Sequence, residues 1–265
     1  MSMDQFFNEV PFWVIYLVSV VVVLLSIKLG IVVANIKSRR DEGEHESSVG
    51  TVVGATLGLL AFILAFSFGM SADRFGARKQ LLLDEVNAIE TTYLRAGFFA
   101  EPSRSDIRNE LKKYVNTRAF DTSVVDFTYQ QYKKLIKDSE AIHTQLWAHA
   151  EKIARTDLNS DIGALFVESL NNLIELHTSR VTVGFYRIPS IIWIVLISVT
   201  ILSMASVGYY FGRFGKVSWM ISIGLALVFS VVILLIFDLD RTGSGNIKVN
   251  QQPMINLQQK LEYLK

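Results

Sequence analysis

VGTVVGATLGLLAFILAFSFGMSA, residues 49–72, runs for 24 residues without Asp, Glu, Lys or Arg. A helix that crosses a bilayer needs about 20 predominantly apolar residues. Each charge at its centre would cost roughly 2.5–3.5 kcal/mol on insertion scales. The stretch therefore reads as a membrane span, and three others share its character. Pro11–Ile36 contains only Lys28, while Ile188–Gly212 and Val217–Phe237 contain no charged residue. Together the four stretches hold 96 residues and one charge, and the other 169 residues hold 50. Long side chains such as Lys28 can snorkel from the last turns of a span to the interface.

This segregation predicts an all-α membrane protein with four transmembrane helices and a helical polar insert between the second and third spans. The expected divisions are residues 1–72 (an N-terminal lead and the first hairpin), 73–187 (the insert), 188–237 (the second hairpin) and 238–265 (a tail). The lead carries Asp4, Glu9 and no basic residue. A secretory signal needs a basic start and an apolar core of about 7–15 residues, so the first stretch reads as a retained helix.

Composition removes several functions. The chain has 26 basic and 25 acidic residues, so no charge excess points to nucleic acid. It has no Cys, hence no disulfide, thiolate metal site or thiol nucleophile.

Inside the insert, apolar residues recur at helical spacing and hairpin signals such as Asn-Gly are absent. Tyr132, Leu135, Ile142, Leu146 and Ile153 mark one helical face. Ile162, Phe166, Leu170, Leu173 and Leu176 mark another. With no Pro to break it, the second span is expected to continue as a helix from Ser71 to about Phe98. Ser103 or Ser105 is the expected N-cap after Glu101-Pro102. A later helix should run toward Arg187, with Ile188-Pro189 opening the third span. In the tail, Met254, Leu257, Leu261 and Leu264 form the stripe of a short docking helix.

The second span carries the mechanical information. Gly54, Gly58, Ala61 and Ala65 form a stripe of small side chains, which lets membrane helices approach closely. Phe62, Phe66 and Gly69 lie on an adjacent face, followed by Asp73. Aromatic rings there can form a hydrophobic constriction that gates by dewetting; the alternative is that they meet lipid or neighbouring helices. Arg74 and Arg78 share a face on the same helix. They read either as charge at a pore mouth or as interfacial anchors.

Catalytic signatures are poor, so no enzyme and no cofactor are expected. Glu140-x-x-His143 has the spacing of half a di-iron site, but such sites need a second copy and further carboxylates. No phosphate loop, serine elbow or zinc-protease motif occurs. No carboxylate sits inside a span as a proton relay would require. Asp238-Leu-Asp240-Arg-Thr242-Gly243 begins like a calcium loop but has Val249 where a bidentate Glu is needed.

Beyond these patterns, Ala61–Lys79 followed by Asp84–Arg95 resembles the bacterial bestrophin-like membrane family. Arg187-Ile-Pro-Ser-Ile-Ile-Trp193, Asp238-Leu-Asp-Arg241 and Gln252-Pro-Met254 carry the same resemblance. It implies four spans, a helical insert and distant kinship with bestrophin anion channels. Thr242 stands where family members usually have Pro. The acidic calcium clasp of animal bestrophins is missing, so calcium gating is not implied.

Two functions remain open: a homo-oligomeric ion channel whose second spans line the pore, or a non-conducting scaffold or sensor whose insert binds a partner. The expected partners are the lipid bilayer, further copies of the chain and small inorganic ions. A bacterial inner membrane is the expected location. The short loops hold Lys37, Arg39, Arg40, Arg213 and Lys216, which favours a cytoplasmic location for those loops and extracytoplasmic termini. Arg74, Arg78, Lys79 and Arg187, and the resemblance itself, pull the other way.

Overall fold

The computed structural model describes residues 10–38, 45–120, 129–157, 159–215, 218–241 and 245–264. Eight helices and no strand occur among them: α1 (Phe12–Ser38), α2 (Glu46–Ala96), α3 (Ser103–Arg118), α4 (Tyr129–Thr156), α5 (Asp161–Phe185), α6 (Ser190–Phe214), α7 (Trp219–Asp240) and α8 (Gln252–Tyr263). Four helical segments are long and apolar enough to cross a membrane. Thr242 and Gly243 of the calcium-like run, the acidic residues of the lead, and Arg39, Arg40 and Lys216 lie outside the described residues.

At 1.5 Å per residue, the 51 residues of α2 extend roughly 76 Å, about two and a half times what a bilayer core needs. Its apolar part ends where charge resumes at Asp73. The expected continuation past Ser71 is present, and the helix ends at Ala96. The expected serine cap of α3 is not formed: Pro102 flanks the helix without a side-chain cap. Ser105 instead donates from its hydroxyl to Glu101 at 2.5 Å.

The chain divides into two compact units. The first comprises residues 1–73 and 187–241. Its apolar core includes Val23, Ile27, Leu60, Leu64, Leu196, Met204, Ala226 and Ile236. Helices α1 and α6 meet almost backbone to backbone. A Cβ placed on Gly208 would lie 1.9 Å from the Ile27 carbonyl oxygen, and one on Gly30 would lie 1.9 Å from that of Ala205. Gly212 sits one turn further on, where a Cβ would be 2.9 Å from Ala34 Cβ. Small residues at four-residue spacing on both helices produce this closeness: Ser26, Gly30 and Ala34 on α1, Gly208 and Gly212 on α6. Across to α2, the Ser203 hydroxyl donates to the Thr56 carbonyl at 3.0 Å.

The break between α5 and α6 has a local cause. A residue preceding proline is disfavoured in helical conformation, so Ile188 leaves the helix ahead of Pro189. Its amide, without a helical partner, donates to Asp240 Oδ1 at 2.9 Å. Arg187 donates to the Asp240 carbonyl at 2.8 Å. Arg241 donates to the Val10 carbonyl and lies over the rings of Phe12 and Phe237, 4.9 and 4.6 Å from their centroids. Asp240 thus ends its span by joining α7 to the start of α6.

The second unit comprises residues 74–186 and 242–265. Leu82, Ile89 and Tyr93 of α2 pack with Ile107 and Leu111 of α3, Leu146 of α4, and Phe166, Leu170 and Leu173 of α5. Met254, Leu257 and Leu261 of α8 close the same core, as their stripe implied. Ile162 departs from its expected face and is exposed.

The close α1–α6 contact generates a direct test. Gly208→Val should destabilise the detergent-solubilised protein by about 1–3 kcal/mol or more, because backbone atoms must separate. Gly54→Ala should not lower thermal stability, since a methyl group there would meet nothing within 4 Å among the described residues. Equal melting temperatures for Gly208→Val and the parent would contradict the packing.

Candidate functional site

On α2, Phe62 and Phe66 stand side by side on the outward face. They are 65% and 53% exposed, with ring centroids 6.5 Å apart and planes 18° from parallel. Ala61 and Ala65 are exposed beside them, as are Gly54 and Gly58, while Gly69 is half-buried. Within one chain the helix packs through another face, which holds Leu60, Leu64, Ser67 and Ser71. The small stripe and the Phe pair therefore have no chain-internal use among the described residues. Asp73 is exposed and Arg74 half-buried. Arg78 is buried, its guanidinium 6.0 Å from the Phe75 ring centroid.

A second constellation lies in the insert unit, and the residue pattern did not announce it. Glu85 of α2 is fully buried. One of its oxygens accepts from Tyr114 of α3. The other accepts from Arg180 of α5 and, at 3.5 Å, from Arg118 of α3. His177 Nδ1 lies 3.7 Å from the first oxygen and 2.9 Å from the Tyr114 hydroxyl. Arg180 also donates to Gln251, just ahead of α8, at 2.7 Å. His143 of α4 completes the cluster, its ring centroid 4.7 Å from those of Tyr114 and His177. One carboxylate thus joins α2, α3 and α5, with α4 and the start of α8 closing around it.

Electrostatics follow from this geometry. Burial alone would push the Glu85 carboxyl up. The guanidiniums of Arg118 and then Arg180, with the nearby His177 ring and the hydrogen bond from Tyr114, outweigh burial and hold it well below the usual carboxylate range. Burial, and then the Glu85 charge, push the Tyr114 phenol well above its ordinary value. Burial first, then the neighbouring His177, lower His143 to about 3. The network is thus an ionised carboxylate shared by two cations, beside a neutral imidazole at His143.

Sequence reasoning had a signal for this cluster in polar residues that interrupt apolar helical stripes. Glu85 falls between Leu82 and Ile89, Tyr114 and Arg118 follow Ile107 and Leu111, and His177 follows Leu170 and Leu173. His143 shares its face with Leu146 and Ala150. The di-iron alternative fails on orientation, because Glu140 is exposed while His143 turns into the junction. Among the described residues, no three His, Asp or Glu side chains gather at metal-binding spacing.

These features define an all-α, multi-pass membrane protein with a helical insert. The Bestrophin-like domain model matches residues 14–254, so the chain belongs to the Bestrophin-like family. No curated protein matches it. Its fold is similar to a bacterial bestrophin homologue from Klebsiella pneumoniae solved by Zn-SAD phasing. That match has TM-score 0.59 and 16% identity, over 91% of this chain and 96% of the other. A point variant of that homologue matches with TM-score 0.64 and 13% identity, covering 93% of this chain and 99% of the other.

Removing the shared carboxylate tests the junction. Glu85→Ala leaves Arg118 and Arg180 buried without their counter-charge, and should cost about 3–5 kcal/mol. Denaturation of the full chain in detergent, followed by circular dichroism, reads this loss. A cost under about 1 kcal/mol would mean that the carboxylate is not what seats these helices.

Proposed function

We propose that the protein is a homo-oligomeric ion channel whose second spans line a hydrophobic pore. The supporting observation is the outward face of α2: a stacked Phe62–Phe66 pair beside an open stripe of small residues, none of it packed against other described residues of the chain. Family membership agrees with this reading. Four thin helices cannot surround a pore, so several copies must share an axis. The Gly54, Gly58, Ala61 and Ala65 stripe would let neighbouring helices approach. Phe62 and Phe66, about one turn apart, would form two stacked collars that resist ions until they widen or wet. Gly69 would continue that lining, and Asp73 with Arg74 and Arg78 would set charge at the mouth.

Replacing both Phe62 and Phe66 with Ala should enlarge the collar and raise basal ion leak in liposomes while leaving oligomer mass unchanged. Gly58→Leu should lower oligomer mass first. If the double Phe variant assembles normally and conducts no more than the parent, these rings are not the gate. A parent that is monomeric in detergent, or that carries no tested ion, favours the scaffold reading instead.

We infer a bacterial inner-membrane location with both termini outside, from the basic residues of the short loops. Ser48 and Thr144 are exposed positions, one beside the first short loop and one on the insert. In intact cells, a membrane-impermeant thiol reagent should label Thr144→Cys and spare Ser48→Cys. The reverse pattern would put the insert in the cytoplasm.

A further inference from the structure

The insert junction holds two groups that a pore does not need. His143 and His177 are 6% and 3% exposed, and their rings meet edge to face at 88°. Neither Nε2 has a hydrogen-bond partner among the described residues. Tyr114 has one proton and gives it to Glu85, so its oxygen accepts from His177 Nδ1. His177 Nδ1 therefore carries a hydrogen, while its buried Nε2 has no partner among the described residues.

The groups facing His143 leave no room for another cation. From α2 comes Glu85, from α3 Tyr114 and Arg118, and from α5 His177 and Arg180. On its own helix Tyr132 acts on Arg118, and Gln251, just ahead of α8, is neutral and accepts from Arg180. The single carboxylate is already shared by two guanidiniums and a phenol. An imidazolium here would be a third buried positive charge with no counter-ion of its own among the described residues, and burial without pairing is what drives such a group to lose its proton or leave.

We propose that this junction is an acid-sensitive latch: proton uptake by His143, packed against His177, releases α4 and α5 from their seat around Glu85 and loosens the insert. Release is where the proton binds. An exposed His titrates near 6.5, whereas seated His143 is held to about 3 by burial and by His177. The folded value is the lower one, so seating is full above about pH 6.5 and weakens as pH falls toward 3. Glu85, held low, acts only below the ordinary carboxylate range, near pH 4.5. Between pH 8 and pH 5 the histidine effect therefore stands apart. One such group raises the released population about 30-fold at pH 5.

Hydrogen–deuterium exchange on the full chain in detergent tests the latch, after correction for intrinsic rates at the two pH values. Amides of α4 and α5 around Leu146, Phe166 and Leu173 should exchange about 30-fold faster at pH 5 than at pH 8, while those of α6 and α7 should not change. His143→Phe keeps a ring but cannot take a proton, and should abolish most of that difference. His149→Gln, a control on the same helix, should keep it. His143→Gln serves the same purpose if the Phe variant does not fold. Equal corrected protection at both pH values in the parent, or a full acid response in the His143 variant, would overturn the proposal. Exchange reads the latch whether or not the protein conducts, so failure of the pore reading leaves it standing.

Discussion

Hydrocarbon offers no partner to a backbone amide or carbonyl, and most of this architecture follows from that constraint. Each spanning segment must satisfy its backbone within itself, which makes it a helix. Between such helices water provides no hydrophobic drive, so association rests on close packing and on hydrogen bonds. The α1–α6 contact answers that demand with three glycines whose missing Cβ atoms let carbonyl oxygens of the facing helix come near. Ser203, donating to the Thr56 carbonyl, is the hydrogen-bonded counterpart on another helix pair.

The insert solves a different problem. Its helices have an ordinary apolar core, but at one place that core admits a fully buried carboxylate. Burying one charge is expensive, and pairing rarely returns more than the desolvation it costs. What such a network does well is specify arrangement: Glu85 cannot be satisfied unless α3 and α5 both deliver their donors. An apolar residue at 85 would tolerate sliding of these helices, whereas the carboxylate makes register an all-or-none matter. The same arrangement leaves His143 and His177 where a further positive charge has no partner.

How much of this was legible depends on range. The four apolar segments, the unbroken α2 and the docking stripe of α8 are patterns within one helix, and a single sequence displays them. The α5–α6 break was visible because Pro189 acts on its own neighbours. The Glu85 cluster joins residues up to 166 positions apart, from Glu85 to Gln251, and no local period links them. Its trace was only negative: a charged or aromatic-polar residue on each of several apolar faces. The serine cap before α3 was misread because Pro102 adjoins the helix and Ser105 found a nearer partner in Glu101.

Small-residue spacing shows the same limit from the other side. Gly54 and Gly58 follow the four-residue pattern, and so do Gly208 and Gly212. Yet among the described residues only the second pair meets a facing backbone. The pattern states that a helix can be approached closely, without naming the helix that approaches. For Gly208 the complement lies on α1, where Ser26, Gly30 and Ala34 repeat the spacing, so two matching stripes on one chain find each other. The α2 stripe has no such complement among the described residues. Under the channel proposal, that unused close approach is where a second copy would settle without displacing a side chain, and the Phe pair beside it would face what the assembly encloses.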